Sequence, residues 1–143
     1  MSTLTTAVAP AANTYQAWQA LRHQQPRLRA REAAAQLGIS EAELTASRLG
    51  VDTRRLRPDW AGLLPALAAL GRVMVLTRNE HCVHERKGMY REVSVSASGQ
   101  MGLVVSADID LRLFLGGWAS VFAVAEETAK GTQRSIQVFD QQG

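Results

Sequence analysis

The amino-acid sequence predicts an α+β domain in which N-terminal helices pack against a large antiparallel β-sheet. Up to Gly71 the apolar residues recur at helical spacing; beyond it they alternate with a period of two. The segments after Gly71 are short, rich in β-branched and aromatic residues, and joined by brief turns, which makes them antiparallel neighbours. At 143 residues the chain can bury one sizeable core. It divides into a flexible tail, residues 1–13, and a single domain, residues 14–143, with helices over 14–71 and the sheet over 72–143.

The tail is small, polar and aperiodic. From Thr14 the spacing of Tyr15, Trp18 and Leu21 predicts a helix that Pro26 ends. A second, alanine-rich helix, "LRAREAAAQLG", stops at Gly38, whose lack of a Cβ suits a left-handed cap. Ser40 and Glu43 have capping-box spacing and start a third, short helix. "DWAGLLPALAALG" carries apolar residues at 60, 63, 64 and 67; Pro65 implies a kink, or a start close to the proline. The strands are "RVMVLTRNEHCVHE", "MYREVSVSA", "MGLVVSAD", "DLRLFLGGW" and "RSIQVFD", separated by "RKG", "ASGQ", "SADID" and "AKGTQ". "WASVFAVAEET" fits either strand or helix and is read as a strand for its β-branched residues. The final strand opens a turn at Asp140 with no partner strand after it, so the chain is expected to be truncated at its C-terminus.

The net charge of +3 is mildly basic and almost all arginine, Lys87 and Lys130 being the lysines. It suits an anionic partner and equally suits ordinary solubility. One cysteine cannot form an internal disulfide, the N-terminus lacks the basic and apolar regions of a secretion signal, and no stretch approaches the roughly 20 continuous apolar residues of a membrane span. A cytoplasmic protein with no membrane partner is expected.

Two stretches are candidates for chemistry. "AREAAAQLGISEAELTASRLG" has the outline of a helix-turn-helix among many arginines, which suits DNA phosphates. However, its second helix opens with Glu41 and Glu43, which would face phosphates, so plain cover for the sheet is the competing reading. "LTRNEHCVHERKG" holds two of the three histidines and the one cysteine. Read as a strand, it puts His81 and Val83 on one face and Cys82 and His84 on the other, so the histidines cannot chelate one metal together. Cys82 and His84 would lie about 7 Å apart, too far for a thiolate pair. No metal site is expected; Cys82 is read as a small buried residue, and His84, Glu85 and Arg78 as groups organising a sheet edge.

Taken together, "LTRNEHCVHERKGMY", "GISEAELTASRLG", "DIDLRLFLGGWASVFAVAEET" and "RSIQVFDQQG" resemble the N-terminal half of the cytoplasmic hemin-degrading and haem-trafficking proteins of Gram-negative haem-uptake systems, most of all the Pseudomonas-type members. The resemblance runs from about Tyr15 to the end of the chain and implies one repeat of a two-repeat fold with haem in a cleft between repeats. It assigns to Arg112 of "DLRLFL" the distal side of the haem and to Phe114 a place beside the porphyrin; the proximal histidine belongs to the second repeat. "LTRNEH" falls where that histidine lies in the other repeat, which makes His81 or His84 a candidate auxiliary ligand. Arg112 and Phe114 are two apart in a strand and share a face, opposite to Leu111, Leu113 and Leu115.

The resemblance implies a haem-binding protein that passes imported haem to a haem oxygenase or degrades it for iron release, with a homodimer as one way to supply a second wall. The alternative from the residues is a nucleic-acid-binding module using the arginine-rich helices, which would show steeply salt-dependent DNA binding. A purely structural interaction domain with an open sheet edge is the third reading.

Overall fold

The computed structural model describes residues 10–143. Of the expected tail, residues 1–9 lie outside the described residues, while α1 (Pro10–Gln24) already begins at Pro10, a residue whose fixed φ suits a first helical turn. The chain forms two compact groups: one runs to Arg57 and is completed by Ala119–Gly143, and the other is Pro58–Trp118.

In the first group, α1 is followed by α2 (Ala30–Leu37) and α3 (Glu41–Ala46). Glu32 accepts from the Arg29 N–H at 2.9 Å to start α2, and Gly38 ends it at φ 70°. Ser40 Oγ accepts from the Glu43 N–H at 3.1 Å, which starts α3 as its capping spacing predicts. Trp18, Ala33, Ala34 and Leu44 form the buried centre, with Leu21, Leu28, Leu37 and Ile39 around it. The small alanines let the helices approach closely while Trp18 fills the volume between them.

The same group contains a three-stranded sheet in the order β1 (Thr53–Arg55), β7 (Trp118–Thr128), β8 (Gly131–Asp140). β1 was not anticipated: three residues carry too little periodicity to read, and the antiparallel register Thr53↔Val124 to Arg55↔Phe122 creates the strand. "WASVFAVAEET" is strand throughout, with Val121, Phe122 and Val124 buried. Arg48, buried to 5% exposure, pairs with Asp52, lies 3.6 Å from Glu126 and stacks 4.8 Å from the Trp18 ring centroid. Arg22 joins Glu126 at 3.1 Å. Part of the arginine excess is therefore used inside the fold.

The second group begins with α4 (Trp60–Leu67), capped by Asp59 accepting from the Gly62 N–H at 3.2 Å. Pro65 sits in its second turn, and the helix ends two residues later in a tight turn over Ala68–Leu70 closed by Gly71. The strands form separate ladders: a hairpin of β2 (Arg72–Arg78) and β3 (Val83–Met89), and a sheet of β4 (Ser94–Val95), β5 (Met101–Val105) and β6 (Asp110–Phe114). The antiparallel pairing is as expected, but the anticipated large sheet is divided into three separate sheets among the described residues. Leu64, Val104, Ile109 and Leu115 are buried here.

The hairpin corrects the reading of "RVMVLTRNEHCVHE" as one strand. Asn79 Oδ1 accepts from the N–H groups of His81 at 2.8 Å and Cys82 at 2.9 Å, and its own N–H donates to Cys82 O at 3.0 Å. That side chain closes the turn at Asn79–Cys82, and "RKG" is strand. Gly88 is therefore no turn glycine: a Cβ there would lie 2.9 Å from Asp108 Cβ and 3.0 Å from Ile109 Cγ1. Cys82, expected to be buried, is exposed because it belongs to the turn.

Burial pushes the Tyr90 phenol above its ordinary value near 10. The folded state then holds that proton where the unfolded chain releases it, so stability falls as pH rises past about 10. Tyr90→Phe should keep its melting temperature better than the parent chain above about pH 10; parallel alkaline losses in both proteins would contradict this.

Candidate functional site

The candidate site is the outward face of β4–β5–β6. Residues opposite one another in an antiparallel pair share a face, so the register Met101↔Phe114, Leu103↔Arg112 and Val105↔Asp110 puts these six side chains on one side. Gly102, Val104, Leu111 and Leu113 take the other side, and a Cβ at Gly102 would stand 3.2 Å from Leu64 Cδ1, showing how closely α4 approaches.

Four of the six outward side chains, Met101, Leu103, Val105 and Phe114, are apolar. Phe114 is 70% exposed, Met101 39% and Leu103 37%. Scattered exposed apolar residues need no explanation, but adjacent ones on a single ladder suggest a binding surface. Arg112 is exposed in their midst and makes no hydrogen bond or ion pair among the described residues, so its five N–H donors are available. Asp110 lies two residues away on the same face.

Local hydrogen bonds hold this face in shape. At one end the Met101 N–H donates to Ser96 Oγ at 3.1 Å and the Ser96 N–H donates to Met101 O at 2.8 Å, closing the turn through Gly99. At the other, Ser106 Oγ accepts from the Ile109 N–H at 3.0 Å.

Arg112 and Phe114 thus come together as the sequence predicts, with Leu111 and Leu113 opposite and half-buried and Leu115 buried. His81 and His84 do not come together: His81 lies in the Asn79–Cys82 turn and His84 on β3 opposite Thr77, on a separate ladder from Arg112. Both are exposed. His84 shares its face with Arg86, whose Nε donates to Asp108 O at 2.8 Å. Among the described residues no group of three or more His, Cys, Asp or Glu side chains is placed to hold a metal ion. Met101 and Leu103 were missed by sequence reasoning; the available signal was the alternation in "MGLVV", which does not say which side faces out.

The helix-turn-helix outline is present as α2 and α3, but α3 is six residues long, carries Glu41 and Glu43 in its first turn and buries Leu44 and Thr45. The arginine following it, Arg48, is enclosed. No helix among the described residues is long and apolar enough to cross a membrane.

Comparison with known proteins places this geometry in a family. Residues 38–143 match the haemin-degrading HemS.ChuX domain. The chain is 45% identical over 133 residues to the hemin transport protein HmuS of Yersinia pestis, covering 92% of this chain and 38% of that protein. The crystal structure of holo-PhuS, a heme-binding protein from Pseudomonas aeruginosa, superposes with a TM-score of 0.91 at 75% identity, over 93% of this chain and 38% of that one. The structure of ChuS, an E. coli heme oxygenase, gives a TM-score of 0.80 at 40% identity, over 92% and 38%. The chain thus spans well under half the length of these relatives, consistent with one repeat of a longer architecture. The match over most of its length, together with these relatives, shows that the chain belongs to the haemin-degrading HemS.ChuX domain family.

Proposed function

We propose that this chain binds haem on the outward face of β4–β5–β6, within a cytoplasmic protein that carries imported haem to a haem oxygenase. The observation that carries this reading is Phe114, 70% exposed on the same face as an uncommitted Arg112. A porphyrin is flat, apolar on its faces and anionic at its propionate edge. An aromatic ring stacks on such a face, and a guanidinium in an apolar setting supplies directed hydrogen bonds to an anionic or oxygen-bearing group. Apolar burial and a few fixed donors are what small-ligand sites combine. The relatives support the ligand, since PhuS is described as a heme-binding protein and HmuS as a hemin transport protein.

Haem brings its own redox chemistry when bound. The role left to this chain is to cover one side of the ring, exclude water with Phe114 and direct a hydrogen-bond donor from Arg112. If this chain holds the haem iron itself, the residue that would do so is His81 or His84, and a second wall would come from a further repeat or from a second copy in a homodimer. Degradation of haem is the second reading, favoured by 40% identity to a chain described as a heme oxygenase. A cytoplasmic setting accords with the single exposed thiol, Cys82.

Hemin titration followed by Soret absorption tests the proposal. Saturable binding should weaken about tenfold in Phe114→Ala and in Arg112→Ala, a contact or charged hydrogen bond of about 1.4 kcal/mol each. Loss of the Soret shift in His81→Ala or His84→Ala would identify the residue that holds the iron. If neither Phe114→Ala nor Arg112→Ala alters the titration, this face is not where haem binds.

A further inference from the structure

We propose that Met101 and Leu103 are porphyrin-contacting residues, so that the wall is two strands wide and β5 supplies half of it. The inference rests on the reading that haem lies against Arg112 and Phe114, and it identifies what completes that surface. A single strand presents one row of side chains, and the next row stands about 4.8 Å away on the neighbouring strand. A macrocycle of four pyrroles is wider than one row. A ligand resting on Phe114 and Arg112 alone would leave half its face in water.

The register supplies the second row. Met101 stands opposite Phe114 and Leu103 opposite Arg112, so the four side chains form a two-by-two block with cross-strand Cβ separations of about 5 Å. Both β5 residues are more than a third exposed, at 39% and 37%, although their strand neighbours Gly102 and Val104 are buried. β5 therefore turns Met101 and Leu103 outward and Gly102 and Val104 inward. Met101 adds an unbranched, polarisable thioether that adapts to a flat surface and packs well beside an aromatic ring. Its position is fixed by two hydrogen bonds to Ser96, at 2.8 and 3.1 Å. The block also has a direction: beyond Arg112 the same face continues to Asp110, a carboxylate that disfavours the propionate edge, so the apolar area available to the ring lies toward Met101 and Phe114.

The test is the rate of hemin transfer from the loaded chain to excess apomyoglobin, with the Soret position recorded throughout. Met101→Ala plus Leu103→Ala should release hemin about tenfold faster, the effect of losing two partly exposed apolar contacts. Leu103→Glu should release it faster still, and Met101→Leu should behave as the parent. Met74→Ala is the control, because Met74 is also an exposed methionine, at 51%, but lies on the β2–β3 hairpin. Should the double variant lose its far-ultraviolet circular dichroism, Leu103→Gln alone carries the measurement, with a several-fold acceleration expected. If Phe114→Ala and Arg112→Ala accelerate release while the β5 variants do not, the two-strand wall is wrong and the haem reading stands. If Met74→Ala accelerates release as much as the β5 variants, the contacts are non-specific and the inference falls. A parent chain without saturable hemin binding, or one indifferent to all four substitutions on the face, overturns the haem reading and this inference with it.

Discussion

Gly88→Val is expected to destabilise the protein by about 3 kcal/mol, at the upper end of the cost of overpacking. Gly88 sits in β3, paired with Val73, and is buried. The first atom of any side chain would meet Asp108 Cβ at 2.9 Å and Ile109 at 3.0 and 3.1 Å. The Asp108 atom is anchored directly to the backbone and Ile109 is itself buried, so neither can swing aside as the tip of a long chain would. Arg86, which bonds Asp108 from the same face of the hairpin, would be displaced as well. Gly88→Ala should lose about 1 to 2 kcal/mol for the same reason. Urea denaturation of the two variants measures this; an unchanged midpoint in both would mean the hairpin does not rest on the Asp108–Ile109 turn.

Arg48→Ala should cost a similar amount, about 3 kcal/mol, the range for removing one partner of a buried ion pair. Its side chain is 6% exposed and joins Asp52, Glu126 and the face of Trp18. Alanine would leave the two carboxylates facing one another without a cation between them, apart from Arg22 on Glu126. It would also open a space beside Trp18, so the tryptophan emission should shift along with the melting temperature. Adding Glu126→Gln to the variant should recover part of the loss, since it removes one of the stranded charges. A chain whose Tm is unaffected by Arg48→Ala would show that these groups are held by water rather than by each other.

These expectations arise from features the sequence expressed unevenly. Ser40 with Glu43, Gly38 after an alanine-rich run, and Tyr15–Trp18–Leu21 are local signals: each residue acts on a backbone within four positions of itself, so the helices were legible. Arg112 and Phe114 were legible as a pair because a period of two depends only on being in a strand. The Asn79 turn was misread because "RKG" looks like a better turn than "NEHC" until the Asn79 side chain is seen accepting two backbone N–H groups. Gly88 looked like punctuation for the same reason. Its role depends on Asp108 and Ile109, about twenty positions away in the chain, and no local pattern records such a contact.

By itself, the sequence determined the α+β class, the order of helices before strands, the caps of the short helices, the shared face of Arg112 and Phe114, and, through its motifs, the haem-handling family. Tertiary structure alone decided that the strands divide into three sheets, that Thr53–Arg55 is a strand, that Cys82 and His81 occupy a turn, and that Met101 and Leu103 look outward beside Arg112 and Phe114. The physical reason is the range of the interactions. Caps and periodicity are settled between near neighbours in the chain, whereas sheet register, the outward side of a strand with apolar residues on both faces, and the need for a missing Cβ are settled by partners that only folding brings close.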